Sequence, residues 1–407
     1  MAKNPLCSKN YFLLWSGALV SQVGDKFYGI ALAWWILQKT KSPAVMGFIL
    51  VASVMPGLII GPCAGVLIDK WPRKPILIFA DVIRGIVVAA VTILSMMGRL
   101  EIWHIVTAAM MLSAGAAFFN PTVQAVIPQI VTEDQLPKAN ALYQMVGGIS
   151  TVVGPILGGV TVSILGFTMV FLFNGISYLV SAFFEGFMRI PATAVKRLKA
   201  SRILADLKEG FQFLKGRKKI VIIIGVIGIA HFFIGSLMVA LPFLANQLAG
   251  KGVQNLGNLE TMLGVGLISG TVAINLKKKT VVQDPVLFLF MALIGICYLG
   301  MGLIKHFQLL TVLPYMGLMG VIGVGIANAS VYWQSLLQRN TPNHIAGRIY
   351  SMAALIGEIS MPAAYGLFGL LLDQFAIHIL MFFSGACLIG VSLIFMMAYD
   401  STFAARC

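Results

Sequence analysis

Long runs of apolar residues, separated by short polar stretches, recur along the whole chain. Each run reaches the length of about 20 residues that a helix needs to cross a bilayer. Backbone polar groups in lipid must be bonded within their own segment, so each run is predicted to be a helix. The pattern predicts an all-α membrane protein with twelve spans, at residues 11–38, 43–68, 75–98, 102–130, 137–165, 168–190, 219–246, 257–276, 284–304, 308–337, 345–372 and 376–398.

The composition agrees with lipid as the solvent, because 59% of the 407 residues are hydrophobic and only 11% are charged. A net charge of +15 would suggest a nucleic-acid partner for a soluble protein. Here, with the N-terminus inside, cytoplasmic segments hold 22 of the 29 Lys and Arg residues. This distribution follows the positive-inside rule and predicts cytoplasmic termini and no nucleic-acid partner. Five scattered cysteines without a C-x-x-C pair predict neither a disulfide framework nor a metal site.

The chain is predicted to contain two similar halves, a six-helix bundle at 1–190 and another at 219–407. The polar linker 191–218 between them has the pattern of an amphipathic helix on the membrane surface. The halves match at an offset close to 208, and six spans per repeat predict parallel repeats about the membrane normal. The matched positions are Asn120 with Asn328, Gln129 with Gln338, Pro155 with Pro362 and Gly159 with Gly366.

Two acids lie deep within predicted spans, Asp25 in the first and Glu358 in the eleventh. Charges at that depth are costly and mark ion pathways. Lys26 does not face Asp25, because adjacent helical residues point about 100° apart, so Asp25 is predicted to face a wet cavity near Gln22. A carboxyl group that moves between oil and water can load and release a proton. Asp25 and Glu358 are therefore the candidate proton carriers.

A further charged pair lies near the cytoplasmic end of the third span, where Asp81 and Arg84 are three residues apart and share a helix face. The pair is predicted to be a local ion pair or half of a larger network. A clamp on the cytoplasmic side and a direct coupling role both remain open. Glu185, near the cytoplasmic end of the sixth span, is predicted to be interfacial.

The turn between the second and third spans is rich in charge. Asp69 is followed by Lys70, Arg73 and Lys74 at the membrane edge, which predicts a cytoplasmic location. Pro72 stiffens this turn because proline fixes its own φ. These cations could simply set the topology.

Small residues and aromatic residues suggest how the bundles pack and what they enclose. Pro155 frees a carbonyl within the fifth span, and the glycines around it, Gly154, Gly158 and Gly159, allow bending and close packing. An ordinary kinked packing helix would have the same sequence. Polar and aromatic side chains suited to a cavity for an amphipathic ligand are Gln22, Trp34, Phe119, Asn120, Gln124, Tyr143, Asn328, Tyr332 and Tyr365.

Several motifs together resemble the macrolide-efflux branch of the bacterial drug:proton antiporters in the major facilitator superfamily. They are the GD of the first span, the IDKWPRK turn, the AD-x-x-R of the third span, the FFNP of the fourth and the AGRIYS of the eleventh. The resemblance covers nearly the whole chain and is strongest over residues 11–190. Pro72 departs from the glycine usual in the family.

The resemblance implies a fold, a set of roles and an activity. The fold is the twelve-helix major facilitator fold, and the activity is export of bulky amphipathic compounds in exchange for protons by alternating access. Asp69 would be a latch between spans 2 and 11, with Arg73 and Lys74 in matching places, and Arg348 would lie at the cytoplasmic gate. The glycines of span 5 resemble the antiporter motif of exporters. The chain would act as a monomer in a bacterial inner membrane, contacting lipids and needing no cofactor.

Two other functions remain as alternatives. A lipid or siderophore exporter, or a flippase, shares the same turn and loop signals. An intramembrane enzyme or scaffold is disfavoured, because the sequence contains no H-E-x-x-H motif, nucleotide-cradling loop or clustered nucleophile and base. The absence of a nucleotide loop also disfavours an ATP-driven pump.

Overall fold

A computed structural model describes residues 5–68, 71–190, 209, 212–276, 285–342 and 345–404, except for the side chains of residues 62, 63, 65, 66, 275 and 400–404. Two features of the sequence argument lie outside the described residues. They are the turn acid Asp69 with Lys70, and most of the linker 191–218.

The described part of the chain contains twelve long helices and no strand, as the apolar pattern predicts. They are α1 Lys9–Thr40, α2 Pro43–Ile68, α3 Arg73–Met96, α4 Ile102–Ile130, α5 Leu136–Leu165, α6 Phe167–Gly186, α7 Lys218–Gln247, α8 Gly252–Leu276, α9 Val286–His306, α10 Val312–Asn340, α11 Ala346–Gln374 and α12 Ile377–Ala404. Each begins and ends within about five residues of its predicted span. The fold-class prediction is confirmed.

Eleven of the described helices are long and apolar enough to cross a membrane by length and composition alone. The helix that does not reach that threshold is α1, where Asp25 and Lys26 interrupt the apolar run. It has 32 residues, long enough to span. Its lower hydropathy indicates that part of α1 faces polar groups and not lipid.

Sharp turns separate neighbouring helices. Gly166 alone connects α5 to α6, with φ of 80°, a left-handed conformation that glycine adopts without a side-chain clash. Pro121, Pro155 and Pro362 lie inside α4, α5 and α11, where each removes one backbone hydrogen bond and lets the helix bend.

The helices form two units. Unit 1 contains α1, most of α2, α3 to α6, and residues Val253–Thr261 near the start of α8. Unit 2 contains α7, the rest of α8, α9 to α12, and Ser42–Phe48 at the start of α2. In unit 1, α1 packs on α5 and α6, and α3 packs on α4 and α6. In unit 2, α7 packs in the same way on α11 and α12, and α9 packs on α10 and α12.

Glycines at corresponding contacts fix the register of the two units. Gly85 and Gly175 bring α3 against α6, while Gly295 and Gly385 bring α9 against α12. Corresponding members of the two pairs are 210 residues apart, two more than the sequence matches predict. The same offset relates Gly47, which packs on Gly369 in unit 2, to Gly257, which packs on Gly159 in unit 1. The structure therefore corrects the repeat: Gly159 corresponds to Gly369 rather than to Gly366.

Candidate functional site

A buried cluster of charged side chains lies inside unit 1, where α1, α3 and α6 meet. Two glycines on α1 make the approach of α6 possible. A Cβ on Gly17 would lie 3.1 Å from Ser181 Oγ, and one on Gly24 would lie 2.3 Å from Ser177 Oγ. Because Asp25 follows Gly24 directly, its carboxylate is held beside α6.

Arg84, on α3, is the centre of the cluster and is 5% exposed. Its Nη1 donates to Asp81 Oδ1 at 2.9 Å, and its Nη2 donates to Asp25 Oδ2 at 3.0 Å. One guanidinium therefore bridges the acid one turn earlier on its own helix and the acid on α1. Charge-assisted bonds of this kind are the strong ones in proteins, and a planar guanidinium suits two carboxylates at once.

Aromatic rings and a glycine enclose the guanidinium. Its carbon lies 4.2 Å from the ring centroid of Tyr178 and 5.3 Å from that of Phe119, within cation–π range. The Tyr178 hydroxyl also donates a short hydrogen bond to Asp25 Oδ1. On α4, a Cβ on Gly115 would lie only 2.8 Å from Arg84 Cγ, so the glycine makes room for the arginine stem. The two terminal nitrogens of the arginine are bonded, whereas its Nε is buried without a hydrogen-bond partner among the described residues.

The acids of the cluster differ in their exposure. The Asp25 side chain is 36% exposed, whereas Asp81 is 0% and Glu185 is 1% exposed. Asp81 Oδ2 and Glu185 Oε2 are buried without a hydrogen-bond partner among the described residues. Glu185 interacts electrostatically with Asp81 and Arg84. Glu185, predicted to be interfacial, lies on the last turn of α6, and its side chain is buried inside the bundle.

Three carboxyl groups thus share one guanidinium. If all three were ionised, the cluster would carry more negative than positive charge in a dry environment. Unbalanced buried charge is costly, and proteins relieve it by binding a proton. The described residues hold no group of three His, Cys, Asp or Glu side chains with the geometry of a metal site.

Other candidates on α1 and α5 lie next to this cluster. Gln22 donates to the Tyr143 hydroxyl at 3.3 Å and so links α1 to α5. Trp34 is buried further along α1. On α4, Phe119 is buried against Arg84, whereas Asn120 and Gln124 are exposed.

The glycines of α5 pack against two different helices. Cβ atoms on Gly154 and Gly158 would lie 2.4 Å from Lys26 Cβ and 2.8 Å from the Phe27 carbonyl oxygen, both on α1. Gly159 faces the start of α8, and the Pro155 carbonyl lies 2.5 Å from where Gly257 would place a Cβ. Their described contacts are therefore close helix packing.

The cations of the turn after α2 bind helix ends in unit 1. Arg73 donates to the Ala125 carbonyl of α4 at 2.7 Å. Lys74 donates to the carbonyls of Gly186 and Met188, at 2.6 and 2.8 Å, and caps the end of α6. The last carbonyls of a helix have no partner within the helix, so a lysine there is stabilising.

The remaining candidates lie in unit 2 and do not form one cluster. Glu358 is exposed on α11. Arg348, at the start of α11, forms a short ion pair with Glu209 of the linker. Asn328 is buried and donates to the Val324 carbonyl of its own helix. Tyr332 and Tyr365 are also buried, the former 5.9 Å from the Phe290 ring between centroids.

Two members of the cluster, Tyr178 and Glu185, were not among the candidates from sequence. They are seven residues apart on α6, so they share a helix face. Ser177 and Ser181 mark the same side of the helix. That polar stripe in an otherwise apolar helix was the available signal.

Comparisons with known proteins place the chain in a family. The family described as transmembrane secretion effector matches residues 2–404. Macrolide efflux protein A of Streptococcus pyogenes is 22% identical over 391 residues, which cover 94% of each chain. The putative bacilysin exporter BacE of Bacillus subtilis is 30% identical over 170 residues, or 42% of this chain and 41% of that protein.

Solved structures share the fold. A bacterial homologue of the iron transporter ferroportin, in an inward-facing state, superposes with a TM-score of 0.74 at 16% identity, covering 97% of this chain and all of that one. A proton dependent oligopeptide transporter superposes with a TM-score of 0.75 at 12% identity, covering 96% and 98%. At such identities the likeness concerns the fold alone. Because the family match spans nearly its whole length, the chain belongs to the transmembrane secretion effectors, a family of multi-pass transporters in the major facilitator superfamily.

Proposed function

We propose that this transporter exports bulky amphipathic compounds of the macrolide type in exchange for protons. Two relatives are named for export, one of macrolides and one of bacilysin. The coupling of export to protons is supported by the contact of Asp25 with both Arg84 and Tyr178 inside the bundle. The transporter would work in a bacterial inner membrane as a monomer, with both termini cytoplasmic and without a cofactor.

The cluster offers a way to couple proton binding to a conformational change. Asp25 is the most exposed acid of the cluster, so its carboxylate is the one that a proton reaches most readily. The neutral carboxyl no longer attracts Arg84 as an ion, while Asp81 keeps the arginine on α3. Protonation therefore weakens the tie between α1 and α3. A ligand shifts a conformational equilibrium only if it binds the two conformations with different affinities. In this proposal the proton on Asp25 does so.

The polar and aromatic residues near the cluster suit an amphipathic substrate. Asn120 and Gln124 are exposed on α4, and the Gln22–Tyr143 pair lies on α1 and α5. A cavity lined by such residues can bind an apolar ring system and also form hydrogen bonds with its oxygen atoms. Glu358, exposed on α11, is the second acid that could bind a proton during transport.

The proposal is tested by efflux of erythromycin from energised cells that lack their other drug exporters. We expect efflux with the wild type, and its loss when a protonophore collapses the gradient. Asp25→Asn removes the titrating group at constant volume and should reduce gradient-driven efflux by at least about tenfold at equal protein levels.

Asp134→Asn is the matched control, because Asp134 is exposed in the short turn before α5. It should export within about twofold of the wild type. Wild-type efflux that is indifferent to the protonophore would refute proton coupling. Normal efflux by Asp25→Asn together with loss in Glu358→Gln would move the coupling to α11.

A further inference from the structure

Glu185 lies at a place where an ordinary structural glutamate would be costly. It is on the last turn of α6, is 1% exposed, and leaves Oε2 without a hydrogen-bond partner among the described residues. A permanently ionised carboxylate there would lack the bonds that normally offset its desolvation. A neutral carboxyl would lose much less.

The groups around Glu185 come from α3 and α5. From α3, Asp81 repels a negative charge on it and Arg84 attracts one. From α5, Tyr143 interacts with it electrostatically. Arg189, the nearest cation along the chain, is exposed, and Lys74 donates to the carbonyls of Gly186 and Met188. Arg84 is already committed to Asp25 and Asp81.

Glu185 is also one residue from a solvent-exposed contact. The hydrogen bond from Lys74 to the Gly186 carbonyl is exposed. The backbone next to Glu185 is therefore exposed at the end of α6, while its carboxyl group is buried. Asp25, the more exposed acid of the cluster, bonds Arg84 from α1 and Tyr178 from α6.

We propose that Glu185 is a second proton-carrying residue of the exporter, which exchanges its proton with water at the α6 end while Asp25 exchanges with water on the α1 side. This inference rests on the proposed proton coupling. The cluster holds one proton on either acid. When Asp25 takes up a proton, the carboxyl of Glu185 releases its own to water as H₃O⁺, and the charge of the cluster is unchanged. During this exchange the Arg84 guanidinium moves away from Asp25 and towards Asp81 and Glu185.

The test uses the full-length exporter in proteoliposomes with an imposed pH gradient and erythromycin as the probe. Two rates are measured: net transport driven by the gradient, and exchange of labelled for unlabelled erythromycin without a gradient. Glu185→Gln keeps the volume and permanently removes the exchangeable proton. We expect gradient-driven transport to fall by at least about tenfold, while the exchange rate falls by less than about threefold.

A pH profile separates this role from a structural one. Glu185→Asp restores a titrating group and should recover gradient-driven transport with a displaced pH optimum. Glu133→Gln, at an exposed position before α5, is the matched control and should behave as the wild type. A parallel fall of exchange and driven transport in Glu185→Gln, without recovery in Glu185→Asp, would overturn the proposal.

The outcomes also distinguish this inference from the proposed function. Gradient-driven transport that stays normal in Glu185→Gln but fails in Asp25→Asn refutes the role of Glu185 and leaves proton antiport standing. Wild-type transport that ignores the gradient refutes both. If Glu185→Gln does not fold, the Glu185→Asp profile alone decides, and an optimum identical to that of the wild type counts against the proposal.

Discussion

The two units have the same helix contacts, but unit 1 encloses charged side chains where unit 2 encloses apolar ones. At the offset of 210, the charged site of unit 1 corresponds to an apolar cavity of about 110 Å³ in unit 2, which His231 and Trp333 also line. The corresponding residues are Asp81 with Met291, Arg84 with Ile294, Phe119 with Ala329 and Tyr178 with Leu388.

The backbone around these positions is alike. Gly115 would place a Cβ 2.8 Å from Arg84 Cγ, and Gly325 would place one 2.9 Å from Ile294 Cγ1. The same backbone arrangement thus accommodates an arginine in unit 1 and an isoleucine in unit 2. Apolar residues of similar volume often stabilise a core at least as well as a buried ion pair. We infer that unit 1 keeps its charges for function and not for folding.

The largest loss of stability is expected from Arg84→Ile, which replaces the central residue of the charged site with its counterpart in unit 2. The change leaves Asp81 and Glu185 buried without their cation, which should lower the free energy of unfolding by about 3–5 kcal/mol. Thermal unfolding of the purified protein in detergent measures it. Ile294→Met, at the corresponding position of unit 2, is the control and should cost under about 1.5 kcal/mol. Equal losses from the two variants would contradict the difference between the units.

An intermediate loss of stability is expected from replacing the two glycines that pack against these side chains. Gly115→Ala and Gly325→Ala each force a methyl group into a contact below 3.0 Å, and each should destabilise by about 1–3 kcal/mol. The two losses should be similar, because the backbone approach is alike. Gly317→Ala, with no neighbour within 4 Å, should be neutral or slightly stabilising. A loss confined to one unit would show that the shared register does not govern packing.

The smallest effect is expected from filling the cavity of unit 2. Ala329→Val adds two methyl groups to its lining and should raise stability by about 0.5–1 kcal/mol. Ala108→Val, at a buried position of α4 outside the described cavities, should instead lower it through overpacking. Melting temperatures of the two variants give the comparison. A loss of stability in Ala329→Val would mean that the cavity has no usable room.

Much of this fold could be predicted from the sequence, because lipid forces apolar runs into helices of nearly fixed length. The Asp81–Arg84 pair also followed from spacing alone, since residues three apart share a helix face. Asp25 was predicted from the cost of charge at depth. Each of these arguments concerns a single helix.

The partners across helices could not be predicted in the same way. That Arg84 reaches Asp25 depends on how Gly17 and Gly24 bring α1 against α6, and that contact needs the rotation of both helices. Glu185 was assigned to the interface from its distance to the helix end, but depth along a helix says nothing about which side a residue faces. The repeat offset was two residues short because isolated matches, such as Asn120 with Asn328, do not report packing.

The cap that Lys74 places on α6 has a practical consequence. Trp71, three residues before Lys74, has 60% of its surface exposed, and the cap ties its turn to the carbonyl beside Glu185. The indole lines an apolar groove with Phe79 of α3 and Phe118 of α4. With the other tryptophans replaced, its emission would report changes in that groove without any attached dye.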